Sequence, residues 1–180
     1  MDNSDLSYKK INSVKAIIEN PEEKILLIQE PETDEWMPLH WGLPGGRPKV
    51  KESLHDAFKR TLQEEIGVDI EPLGIYRIEE LLHDDRTVLM FIAVAKVFGE
   101  VDIKGRIKTF KWVTAEEIEK MDTLEFTAFY AKKLLLDYLA GNREYIDFNL
   151  VETQQYYDLD ENPEFQKWLE SWKKNVKSSS

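Results

Sequence analysis

The residues with the clearest chemical potential lie between Gly45 and Val68, in the string GGRPKVKESLHDAFKRTLQEEIGV. Two adjacent glycines permit backbone conformations that side chains disfavour, and a loop entering a helix presents unpaired amides and carbonyls to a ligand. Downstream, Arg60 and Glu64 are four residues apart and share a helix face, with Glu65 next to them. Paired carboxylates beside a glycine loop form a hard-oxygen site suited to magnesium, with positions left for water and substrate phosphate. No Gly-Lys-Ser/Thr follows the glycines and the G-x-G-x-x-G spacing is absent, which excludes the Walker and dinucleotide-binding loops.

A phosphate site must overcome the charge of the whole chain. The 180 residues carry 24 Lys+Arg against 35 Asp+Glu, a formal charge of -11, so the average surface repels nucleic acid polymers and phosphate at long range. A divalent cation would cancel that repulsion locally, assisted by Arg47, Lys49, Lys51 and Arg60. Cysteine is absent, which removes disulfides, thiolate zinc sites and cysteine nucleophiles. No stretch approaches the roughly 18–20 apolar residues of a membrane span, and Met1 to Lys10 do not resemble a secretory signal, so the expected location is cytoplasmic, away from membranes.

The elements that must position this chemistry follow from periodicity. Apolar residues from Ile11 through SVKAII, a turn at Glu19–Glu22 and the run KILLIQ predict a hairpin-like pair of strands. The next segment, EPETDEWMPLHWGLPGGRP, holds four prolines and three glycines and predicts an ordered loop with at most a short strand. Leu54, Ala57, Phe58, Leu62 and Ile66 recur at helical spacing over about 52–66, stopped by Gly67. Two strands around His83-Asp84-Asp85-Arg86, a strand at IKTFKWVT, and helices over 115–121 and 127–139 complete an α+β domain. The single domain spans 1–180, with a core over about 11–141 and an aromatic, acidic extension over about 142–177. In that extension a helix is expected to start at Asn162-Pro163, with the stripe Phe165, Trp168, Leu169 and Trp172 packed on the domain or in a dimer contact.

The complete spacing is more specific than any pair of acids. From Gly46 through Glu52, Arg60, Leu62, Glu64, Glu65, Gly67 and Val68, the string resembles the Nudix box, G-x5-E-x7-R-E-U-x-E-E-x-G-U with U aliphatic, at eight of nine specified positions. WGLPGG before it and KWVTAEEI after it are also familiar in that family. The resemblance implies an α/β/α sandwich around a mixed sheet with the box as a loop-helix-loop. It further implies metal-dependent hydrolysis of a nucleoside diphosphate linked to another moiety, with Mg2+ or Mn2+ as cofactor. Carried over by position, Glu64 and Glu65 are expected to bind metal together with the Gly46 carbonyl, while Glu52 and Arg60 brace the loop and helix. Arg47 and Trp36 are candidate substrate contacts, with Trp41 and Tyr76 as further stacking surfaces. The implied partner is a small nucleotide diphosphate derivative, and a homodimer is compatible with the tail aromatics and the family's habits.

The departure is Thr61, which stands where the box has its first helix glutamate. Threonine is a poor magnesium ligand and cannot take a proton from water near neutral pH. Glu30 falls where many members place a phosphate-reaching arginine, and Thr109 where many carry another acid. Such changes imply rerouted or reduced hydrolysis, or a Nudix-fold binding module without hydrolysis. A replacement base from a loop, as in the GDP-mannose hydrolase branch, points to His83 first, then Glu79, Glu80, Glu100, Asp102, Glu116 or Glu117.

Overall fold

The computed structural model describes residues 9–151 and 163–177. The polar start, the segment 152–162 and the terminal serines lie outside the described residues. The first strand, β1 (Lys9–Ile18), is followed by β2 (Ile25–Gln29), two short strands β3 (Trp41–Gly42) and β4 (Gly45–Gly46), and helix α1 (Leu54–Ile66). Strands β5 (Asp69–Leu82) and β6 (Arg86–Phe98) form a long hairpin. Strand β7 (Thr109–Val113), helices α2 (Ala115–Lys120) and α3 (Ala131–Leu139), strand β8 (Ile146–Asp147) and helix α4 (Pro163–Lys177) complete the order.

One sheet is mixed and the other antiparallel. One has the order β4-β1-β6-β5-β8, in which β1 and β6 run parallel and the other pairs antiparallel, and the second has the antiparallel order β3-β2-β7. The expected hairpin of the first two strands does not form. Apart from one bridge at Glu19 and Ile25, β1 and β2 belong to different sheets, because ten residues of β1 pair with β6 and its other edge takes the glycine strand β4. Continuous apolar runs make good buried strands without naming a partner, and long-range pairing decided this one.

Alternation along the strands divides the core. Val14, Ala16, Ile18, Leu26 and Ile28 face α1, where Ala57, Phe58, Leu62 and Ile66 cover them. Ile17, Ile25 and Leu27 face the opposite layer, built by Ile118 of α2 and Leu134, Leu135 and Tyr138 of α3. Helices on both faces give the α/β/α sandwich. Phe58 and Leu62 are fully buried, each contributing about 1.5–3 kcal/mol of transfer free energy and fixing which face α1 turns to the sheet.

Helix α1 starts at Leu54, since Ser53 is its N-cap and accepts a hydrogen bond from the Asp56 amide. It ends at Gly67, whose φ of 68° is the left-handed conformation that favours glycine. The last sandwich helix starts at Ala131, later than its apolar pattern suggests, because Phe126 bridges to Trp41 and the Thr127 amide donates to the Trp41 carbonyl at 2.8 Å.

The extension splits in two. Ile146 and Asp147 add to the free edge of β5, and Phe148 packs edge-to-face on Phe58 and His55. In α4, Phe165, Trp168 and Trp172 stack on one another along one helix face, with Trp168 57% and Trp172 50% exposed. Three- and four-residue spacing brings these rings into register on the helix. No described helix is long and apolar enough to cross a membrane.

Candidate active site

Pairing of β4 with Val14 and Lys15 of β1 sets the glycine pair on the edge of the five-stranded sheet, beside α1. Gly45 has a φ of 145°, and a Cβ there would lie 2.1 Å from the Val14 carbonyl oxygen, so this close approach of two backbones requires glycine. Its amide donates a 2.6 Å hydrogen bond to Glu65 Oε2, tying the strand to the helix. Burial pushes the Glu65 carboxyl up in pKa, opposed by the positive charge of Lys15 and the Gly45 hydrogen bond, while the nearby Glu30 charge pushes it further up.

Arg60 organises the other face of α1. Its guanidinium grips Glu52 through Nε at 2.6 Å and a second nitrogen at 2.7 Å, and reaches Glu64 at 2.9 Å and the Arg47 carbonyl at 2.9 Å. The Arg60 hydrogen bonds, with that of the Lys49 amide, hold the Glu52 carboxyl down at about 2 against its desolvation. Lys49 also approaches Glu64 to 3.8 Å. Arg60 is therefore committed to bracing the loop and is not free for an anionic ligand.

Thr61 is buried. Its hydroxyl donates to the Ala57 carbonyl at 2.8 Å, and its methyl would meet a Cβ placed on Gly46 at 2.9 Å. It occupies the seam between the apolar stripe and the site, so its polar atom is satisfied inside the helix and its carbon atoms fill the space beneath the glycine strand.

These groups open on one cleft of about 820 Å3 whose walls include Gly45, Gly46, Arg47, Glu64, Glu65 and Trp36. Lys15, Lys104 and Arg106 also line it; none was singled out from sequence, because one lies in a strand and two in a loop far from the box. Glu30 lines it too. His83 does not. It sits at the β5–β6 turn in an adjoining hollow of about 650 Å3, which shares Trp36 and Arg47 with the cleft and also holds Glu80. Trp36 is 63% exposed, with the Arg86 guanidinium 4.0 Å from its ring centre. Trp41 carries Lys111 on its face, and Tyr76 is buried against Tyr138. Thr109 pairs with Gln29 in the second sheet; Glu117 caps α2 at Thr114, and Glu116 pairs with Lys120.

A chain with this sheet order and this loop-helix-loop is matched by the family model described as NUDIX domain, over residues 9–135. The chain belongs to the Nudix family. An 8-oxo-dGDP phosphatase of Danio rerio is 34% identical over 67 residues, which are 37% of this chain and 20% of that protein. The phosphatase NudJ of Shigella boydii is 27% identical over 113 residues, 61% of this chain and 72% of the relative. The chain thus spans only a fifth of the first relative and under three quarters of the second. Among solved structures, a MutT protein of Methanosarcina mazei superposes with a TM-score of 0.66 at 25% identity, covering 76% of this chain and 98% of that one. By family, this is a Nudix-type enzyme.

Among the described residues, no three histidine, aspartate or glutamate side chains gather as a metal-binding group. Position 61 supplies nothing, Glu65 holds the Gly45 amide, and Glu64 leans on Arg60. The donor set is not a protein-only cage. Two carboxylates and a backbone carbonyl do suit a magnesium-like ion that keeps water and takes its remaining ligands from substrate phosphates.

Proposed function

We propose that this cleft hydrolyses a nucleoside diphosphate linked to another moiety, such as a nucleotide or nucleotide sugar, with Mg2+ or Mn2+ as cofactor. The observation that carries the reading is the convergence of Glu64, Glu65 and the Gly45-Gly46 strand on one cleft. Glu64, Glu65 and the Gly46 carbonyl would hold the ion, which when bound polarises the diphosphate and acidifies water. Glu52 and Arg60 position the loop and helix, and Arg47 and Trp36 contact the substrate. The relatives' names, phosphatases acting on a nucleoside diphosphate in one case, support this substrate class. Because Thr61 cannot accept a proton, turnover is slower than in a chain with the complete box. The aromatic face of α4 makes a homodimer part of this reading, and light scattering on the purified protein checks it.

The test is release of a nucleoside monophosphate from a panel of nucleoside diphosphate derivatives, with magnesium or manganese. Activity is expected to depend on the metal and to be lost in Glu64→Gln and Glu65→Gln. No turnover with either metal, at protein concentrations that would reveal a slow enzyme, rejects the reading.

One observation favours a second reading, a binding module without hydrolysis: Thr61 is absorbed into packing, with its hydroxyl on the Ala57 carbonyl. That module would be stabilised by nucleotide ligands whether or not metal is removed, and would cleave none of them.

A further inference from the structure

Sequence draws attention to Arg47, Lys49, Lys51 and Arg60 as the cations that offset the acidic surface, yet tertiary structure ties two of them, Lys49 and Arg60, to carboxylates. Arg60 is held by Glu52, Glu64 and the Arg47 carbonyl, and Lys49 leans on Glu64. Residue 30, at the end of β2, brings a carboxylate to the cleft. Arg47 also lines the cleft, and an anionic ligand finds further positive charge in another element.

The connection between β6 and β7 supplies it. This segment crosses the C-terminal end of α1 and is fastened there by backbone bonds: the Asp102 amide donates to the Ile66 carbonyl at 2.9 Å, and the Lys104 amide to the Glu65 carbonyl at 2.9 Å. Its far end is fixed by the buried Ile107, by the Lys108 amide donating to the Gln29 carbonyl at 3.0 Å, and by a 2.7 Å ion pair between Lys108 and Glu32. Gly105, with a φ of 67°, makes the turn between these anchors. The result is a loop held on both sides of Arg106. Arg106 lines the cleft and, among the described residues, makes no hydrogen bond or ion pair. Lys15 reaches the same cleft from β1, its ammonium 3.4 Å from the Gly45 carbonyl oxygen.

We propose that Arg106, with Lys15 in the same cleft, is the phosphate-binding arm, engaging an anion of two or more linked phosphates. The proposal rests on reading the cleft as a diphosphate site. A guanidinium offers two parallel donors to phosphate oxygens, and an anchored loop lowers the entropy lost when they engage. The carboxylates of Glu65, Asp34 and Glu30 share this part of the cleft, so the arm balances repulsion that a phosphate would otherwise meet.

The test titrates inorganic pyrophosphate, with magnesium present, into the full-length protein by calorimetry and records melting temperatures in parallel. Arg106→Gln is expected to raise the Kd about tenfold or more with little change in melting, and Arg106→Lys to recover part of the loss, since lysine keeps the charge without the fork. Arg143→Gln, which removes a remote cation paired with Glu19, leaves the Kd unchanged. An unchanged Kd in Arg106→Gln, with or without a lower melting temperature, overturns the proposal and leaves Arg106 as a counter-charge to Glu65. Absence of pyrophosphate binding to the wild-type protein also overturns it. Binding through Arg106 without cleavage of any nucleotide would sustain this proposal and reject hydrolysis; cleavage with a KM indifferent to Arg106 would do the reverse.

Discussion

The Gly45 amide and the Glu65 carboxylate, twenty residues apart in sequence, meet in a 2.6 Å hydrogen bond that joins the glycine strand to the helix. That bond fixes one wall of the cleft, and it places a carboxylate where water is partly excluded.

Glu65 therefore has a signature in pH. Its pKa in the folded chain is raised, chiefly by desolvation, so the folded state binds the proton more tightly than the unfolded chain does. The contribution to stability is fully present below the ordinary carboxylate value and is lost as pH rises through the raised one. Denaturation of wild type and Glu65→Gln across that window is expected to show the variant gaining relative stability as pH increases, because glutamine keeps an acceptor for Gly45 without the charge. Hydrolysis should be lost in the same variant.

Glu52 behaves with the opposite sign. Its folded pKa is held at about 2 by Arg60, so its stabilisation is present above the ordinary carboxylate value and disappears as pH falls toward 2. Glu52→Gln is expected to cost about 1–3 kcal/mol at neutral pH, the worth of a charge-assisted pair. Urea titrations should show the wild type and the variant converging in acid.

Restoring the box glutamate should not restore the box. Thr61→Glu forces a carboxylate beneath Gly46, into the space now filled by the threonine methyl, and is expected to destabilise by about 2–4 kcal/mol without raising kcat. Thr61→Val, which keeps the shape and removes the hydroxyl, should cost only about 1 kcal/mol. Chemical denaturation with parallel rate assays separates these outcomes; a large gain in rate from Thr61→Glu would show that position 61, which lines the cleft, accommodates a working carboxylate.

Gly67 carries two constraints. Its φ of 68° disfavours any side chain, and a Cβ there would lie 2.5 Å from the Asp102 carbonyl oxygen and 2.9 Å from Lys104 Cε. Gly67→Ala is expected to lose about 1–3 kcal/mol, and to loosen the β6–β7 connection. Hydrogen exchange at the Asp102 and Lys104 amides, which bond to the end of α1, should accelerate in the variant.

The α1 helix was legible because a 3.6-residue apolar period and a glycine stop are local signals, and the box was legible because its spacing is linear. Partner choice was not, since β1 and β2 carry similar apolar runs but end in different sheets. His83 sits in the adjoining hollow rather than in the cleft, which no local pattern could reveal. Lys15 is far from Lys104 and Arg106 in sequence, and only the fold gathers them on one cleft.

By itself, then, the sequence determined the family, the helix that bears the carboxylates and the absence of an acid at position 61, because each is written in residue types at fixed separations. That Glu52 and Arg60 brace the loop and helix by pairing follows from the family resemblance, whereas tertiary structure alone decided that Thr61 is spent on packing. It also turned a loop more than thirty residues beyond the helix toward its carboxylates. The physical reason is that charge pairing and burial depend on distance through space, and distance through space is set by sheet order rather than by chain order.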